Sequence, residues 1–238
     1  MVIFALVFYY LIGIEGVILG IALSFFPYVT RIYKTFKNDK INFSLIRPRI
    51  GFIMNSYALD LSRTFSGFTD KLIVAPLFGF AILGNYQLGI QVLSVGTILP
   101  GIVYQYILPR DASGESNQKL KKLTIIVSII LAILGFILAP IVLPVLFPKF
   151  TEAVEVIQII SISLIPSTIN MIYISKFLGN EISRIVLIGS GIFLAVQITS
   201  IFILGELFGV NGVAAALVLG ASSEAIFLVC VNRFIYKI

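Results

Sequence analysis

The chain has no histidine, no tryptophan and one cysteine, and only 12% of its 238 residues are charged. Each shortage removes a class of chemistry. Without imidazole there is no Ser-His dyad and no histidine metal cluster. One thiol cannot close an intrachain disulfide, and Cys230 lies in an apolar run, where a small packing residue is expected. A water-soluble domain of this length carries about a quarter charged residues. No basic region precedes the first apolar stretch, so a cleavable signal peptide is not expected.

What the chain has instead is 59% hydrophobic residues and a mean hydropathy of +1.08. Apolar spans fall at about 1–12, 16–33, 51–78, 84–108, 123–147, 153–175, 184–204 and 209–231. Crossing ~30 Å of hydrocarbon at 1.5 Å per residue takes about 20 residues. Seven spans meet that length. The first, Met1 to Ile12, reaches only about 18 Å by the same rise, so an N-terminal portion is expected to be missing.

The spans are separated by gaps of alternating charge. Fourteen of the seventeen Lys and Arg residues lie in the gaps Arg31–Arg49, Arg110–Lys122 and Lys176–Arg184 and in the tail with Arg233 and Lys237. The gaps near Gly13–Gly16, Gly79–Asn85, Pro148–Glu152 and Gly205–Asn211 hold only Lys149. Cytoplasmic loops collect Lys and Arg. The expected protein is therefore all-α, multi-pass in a cell membrane, with a cytoplasmic C-terminus. The net charge of +6 reflects that topology and not a nucleic-acid partner.

Residues 37–49 read as a cytoplasmic linker closed by Pro48, which disfavours helix in the residue before it. Asp111 to Asn117 carries turn residues throughout. Pro27, Pro76, Pro100, Pro140, Pro144 and Pro166 lie in or near spans and are expected to bend them.

A shift of 196 residues lays Gly13-Ile14-Glu15-Gly16-Val17 on Gly209-Val210-Asn211-Gly212-Val213. Six spans separate the copies, an even number, so both share one orientation. Parallel repeats of this kind build transporters from halves. On this reading residues 1–36 are the last two helices of a first lobe, and 50–238 form a six-helix second lobe.

The span 51–78 is unusually charged. Ser56, Asp60, Arg63, Gly67 and Asp70 follow a four-three-four-three spacing along one helix face. Ionisable groups at membrane depth cost about 2.5–3.5 kcal/mol each on insertion scales, so they pair or line a wet cavity. Two readings stand: an Asp60–Arg63 pair locking helices together, or a cavity stripe in which Arg63 meets an anionic substrate. Asp70 and Lys71 lie near the outer boundary, where interfacial solvation is expected. Gln87, Gln91 and Ser94 share a face of the next span; Gln158, Ser161, Gln197 and Ser200 read as modest interhelical glue. Glu224, a carboxylate well inside the last span, needs a partner, and Arg63 is one candidate.

Several features in order make the chain similar to a known family. An Asp-containing helix precedes Leu83-Gly84-Asn85-Tyr86; Pro109 follows the next helix; Leu146-Phe147-Pro148-Lys149-Phe150 with Ala153 comes next; and Gly209-x-x-Gly212 opens an alanine run. The chain resembles the C-terminal part of the polysaccharide-transporter branch of the multidrug/oligosaccharidyl-lipid/polysaccharide flippase superfamily. Phe150 stands where that family usually has Tyr. The resemblance implies a C-terminal six-helix lobe, alternating access, a lipid-linked sugar as substrate and no cofactor. It places Asp60 and Arg63 on the cavity-lining first helix of that lobe, with a missing N-terminal lobe or a second copy as partner.

A multidrug/cation antiporter of the same superfamily is the near alternative; a non-transporting bundle subunit or inactive remnant is the distant one. An enzyme is not expected: Asp60 and Asp70 lack a Gly-x-Gly-Asp setting, no Asp-x-Asp occurs, and histidine is absent.

Overall fold

The computed structural model describes residues 2–38, 47–115, 117–150 and 152–236, apart from the side chains of residues 30, 34–38, 63, 66, 235 and 236. The expected linker centre, 39–46, lies outside the described residues. Those described form helices and short connections, with no strand among them. They group into two compact units, Met1–Ile50 and Gly51–Ile238.

The first unit holds α1 (Val2–Ile12), α2 (Ile14–Ser24) and α3 (Phe26–Asn38). Gly13 joins α1 to α2 with φ 82° and ψ −150°, a conformation that only glycine adopts without strain. The chain doubles back there. A Cβ on Gly16 would lie 1.9 Å from the Phe8 carbonyl oxygen, so α1 and α2 pack backbone against backbone.

The second unit begins after a 3₁₀ turn, Arg47–Arg49, which carries Pro48. It contains α4 (Ile50–Gly96), α5 (Ile98–Ala112), α6 (Gln118–Leu146), α7 (Ala153–Ile162), α8 (Leu164–Gly179) and α9 (Ser183–Val231), followed by a π turn, Asn232–Tyr236. Helices α4 and α9 are hairpins. Helix α4 breaks at Gly79 (φ 86°, ψ 167°), and Asp70 hydrogen-bonds Tyr86 across the break. Sixteen residues of straight helix would hold those side chains about 24 Å apart. Helix α9 folds at Gly209 (φ 57°, ψ −132°), where a Cβ on Gly212 would meet the Leu204 carbonyl oxygen at 1.8 Å.

The 196-residue repeat therefore has a structural counterpart. Gly13 and Gly209 share a positive-φ turn, and Gly16 and Gly212 each press on the carbonyl eight residues earlier. Three of the four lean gaps are not loops here, whereas the fourth, at Pro148–Glu152, is a turn among its described residues. At Gly13, Gly79 and Gly209 each of the three narrows to a single glycine.

Among the described residues, five helices are long and apolar enough to cross a membrane, by length and composition, and two of the five include these hairpins. Their outward surface is apolar, with Phe80 82% exposed and Ile141 62% exposed. Helices meet where a bulky side chain fills a glycine notch: Ile160 and Val156 at Gly89, Leu164 at Gly96, Phe78 at Gly205. One core cluster gathers Val74, Tyr86, Val156, Ile160, Ile201 and Val213 near the glycine turns. A second gathers Leu59, Ile174, Phe177, Val186 and Leu228 toward the basic end.

The prolines act locally. Pro27, Pro100 and Pro166 each sit in the first turn of a helix that restarts after Phe25, Thr97 or Ser163, where the missing N–H disturbs the ladder least. Pro76, Pro109, Pro140 and Pro144 remain inside helices.

Candidate functional site

Among the described residues of the second unit, three groups of buried polar side chains stand out. The first spans the α4 hairpin. Tyr86 donates its hydroxyl to Asp70 Oδ2 at 2.8 Å, and the Lys71 backbone N–H donates to Oδ1 at 2.8 Å. Gln197 of α9 hydrogen-bonds the same tyrosine. Asp70 is 5% exposed. This corrects the interfacial solvation expected for it: the one-residue turn at Gly79 brings Tyr86 onto it and covers it.

The second group joins α5, α6 and α8. Lys121 Nζ donates to both Asp111 oxygens, at 2.7 and 2.9 Å, and Ser175 Oγ donates to Oδ2 at 2.7 Å. Asp111 was expected in a turn. Helix α5 continues through Ala112 instead, and the turn starts at Ser113.

The third group lines a cavity of about 340 Å³ between α5, α8 and both arms of α9. Asn170 Nδ2 donates to Glu224 Oε2 at 2.9 Å and to the Ala221 carbonyl at 3.1 Å. Tyr104, Ser167, Met171 and Phe193 complete the walls. Glu224 thus has an amide partner on α8. Its expected alternative, Arg63, has a side chain outside the described residues, as does the Asp60–Arg63 pair.

The remaining sequence candidates are dispersed. Asp60 is exposed and Ser56 half-buried. Gln87 is half-buried with a covered Oε1 that accepts no hydrogen bond among the described residues, and Gln91 is exposed. Gln158 donates to the Phe136 carbonyl of α6, an interhelical bond, whereas Ser161 donates to the Ile157 carbonyl within its own helix. A further hollow of about 510 Å³ opens at the glycine-turn end, where Asn211 donates to Glu155 at 2.5 Å and Asn85 to Glu152 at 3.1 Å.

Sequence reasoning missed Asn170, Ser175 and the pairing of Asp111 with Lys121. Asn170 is the one of these with a usable signal, as an amide inside an apolar span. No protein-family model, no curated protein and no solved structure matches the chain.

Proposed function

We propose that this chain is a membrane transporter that moves lipid-linked oligosaccharide or polysaccharide repeat units across the cytoplasmic membrane by alternating access. The observation that carries the transport reading is the Glu224–Asn170 cavity, a buried carboxylate and amide lining a hollow inside a unit whose outer surface is apolar. A membrane bundle that only packs has little use for such a cavity, because buried ionisable groups are costly at membrane depth. The saccharide class comes from the family resemblance and from Arg63, whose fixed charge suits a pyrophosphate-linked cargo.

Counting Gly79 and Gly209 as turns at a membrane face gives six crossings in the second unit. The basic gaps then fall on one side, which we assign to the cytoplasm together with the C-terminus. The matched Gly13 and Gly209 turns support reading the 196-residue repeat as a duplicated hairpin, as in transporters built from repeats.

Complementation of a flippase-deficient strain tests the reading, with this chain compared against a version extended upstream. Surface glycan restored by either version supports it, and the two versions separate a sufficient lobe from a dependent one. Two normally inserted proteins that both fail would favour the second reading, a cation antiporter, for which the carboxylate among Tyr104, Phe193 and Met171 is the specific support.

A further inference from the structure

At the basic end of the second unit, a hollow of about 470 Å³ lies between the end of α5 and the start of α6, lined by Arg110, Glu115, Asn117, Gln118 and Lys119. Two cations and one carboxylate give this lining one net positive charge. Neither Arg110 nor Lys119 forms an ion pair among the described residues. Arg110 instead lies over the Tyr106 ring, 4.3 Å from its centroid, which steadies the guanidinium without neutralising it. Lys121, close by in sequence, is committed to Asp111.

The surface beside the hollow identifies the source of a matching anion. Ile102, Tyr106 and Arg110 recur every four residues on α5, and Lys119, Leu123, Ile126 and Ile130 every three or four on α6. Each set therefore shares a helix face, and all seven residues are exposed. Two apolar stripes, open to lipid in a membrane, each end on a cation, and both cations line the same hollow. A tyrosine with an arginine one turn beyond it follows the order of a membrane boundary, ring at headgroup level and charge outside. A free anion would use the hollow alone. A phospholipid would use hollow and stripes together, with its phosphate between Arg110 and Lys119 and its chains against Tyr106 and Leu123.

The lining also narrows the headgroup. One phosphodiester balances the net charge. Glu115 opposes a second anionic group but accepts hydrogen bonds from hydroxyls. A glycerol headgroup supplies both parts, whereas choline has no donor and ethanolamine adds a cation that leaves the charge unbalanced.

We infer that the hollow between α5 and α6 is a binding site for the headgroup of an anionic glycerophospholipid of the phosphatidylglycerol type. The inference stands apart from the cargo and holds whatever the chain transports.

The experiment uses purified full-length protein in mixed maltoside micelles, with phosphatidylcholine replaced stepwise by phosphatidylglycerol at constant total lipid and ionic strength. Tm is expected to rise saturably, by about 3–6 °C at ten times the half-saturating fraction. Arg110→Gln with Lys119→Gln should shift half-saturation at least tenfold upward. Lys122→Gln with Arg184→Gln removes the same charge from exposed positions outside the lining and should leave it unchanged. No rise with phosphatidylglycerol, an equal rise with phosphatidylethanolamine, or an equal shift in both double variants overturns the site. Inorganic phosphate separates the two sources of a phosphate group: a rise as large as the lipid's would make this a free-anion site and overturn the headgroup assignment. Tyr106→Trp gives the chain its sole tryptophan beside the hollow. Chain-brominated phosphatidylglycerol should quench it with the half-saturation seen in Tm, and more strongly than brominated phosphatidylcholine. Equal quenching by the two lipids also overturns the assignment.

Discussion

Asp111 and Lys121 form an ion pair at 2.7 Å in which neither side chain is more than 5% exposed. The pair ties the end of α5 to the start of α6, and Ser175 anchors it to α8. Gly179 lets α8 approach so closely that a Cβ there would lie 2.8 Å from the Ala112 nitrogen. Three helix ends thus meet on one carboxylate. Removing only the cation leaves that carboxylate buried, and breaking such a pair costs about 3–5 kcal/mol. Lys121→Met is therefore expected to lower Tm by about 6–20 °C. Adding Asp111→Leu should recover most of the loss, since apolar replacement of both partners is often neutral. Thermal unfolding of the two single variants and the double variant checks this. A double variant as unstable as the sum of the singles would contradict it.

The Tyr86–Asp70 hydrogen bond makes a smaller claim of the same kind. Tyr86→Phe removes a donor to a buried carboxylate while keeping the ring in its core cluster. The expected loss is about 1.5–3 kcal/mol, the usual range for a hydrogen bond to a charged group. Combined with Asp70→Asn, the two losses should fail to add by at least about 0.5 kcal/mol. Additive losses in a thermal cycle would mean that the bond does not hold the α4 hairpin closed.

How far the sequence foretold this arrangement depended on distance along the chain. Helical spans and their breaks follow from local hydropathy, and Gly13-x-x-Gly16 with Gly209-x-x-Gly212 marked two hairpins through a pattern only four residues long. The buried polar groups did not yield to that reading. Asp111 lies in a stretch of turn residues, and its partners are 10 and 64 positions away on other helices. Asp70 looked interfacial until a one-residue turn at Gly79 laid Tyr86 over it. Glu224 was conspicuous as a carboxylate in an apolar span, and Asn170 as an amide in another, but they are 54 residues apart and nothing local pairs the two. Side-chain pairing between helices depends on rotation and depth, and neither is encoded in hydropathy.

Under the transport reading, the charged stripe on α4 carries its own expectation. Arg63→Ala should abolish glycan export while leaving membrane insertion intact, because a fixed positive charge for an anionic cargo is lost and the helix gains a strong former. Export assayed in the complementing strain, beside a fractionation blot for the inserted protein, separates the two effects. Wild-type export by Arg63→Ala would remove this residue from the cavity. Loss of insertion would make its role structural.

The two hairpins invite a matched pair of substitutions. A Cβ at Gly212 would lie 1.8 Å from the Leu204 carbonyl oxygen, and one at Gly16 1.9 Å from that of Phe8. Neither neighbour is a flexible side-chain end, so the backbones must separate. Overpacking of this kind costs about 1–3 kcal/mol and can exceed it. Gly191→Ala on the same helix as Gly212 is the control: nothing lies within 4 Å of its Cβ, and alanine is the better helix former by about 0.5–1 kcal/mol. We expect Gly212→Ala to lower Tm and Gly191→Ala to leave it unchanged or raise it. Gly16→Ala should loosen the α1–α2 hairpin, read as faster proteolysis between residues 12 and 16 without loss of the second unit. If Gly16→Ala were silent while Gly212→Ala destabilised, the two turns would share a backbone shape but not a packing role, and the case for repeated lobes would weaken with it.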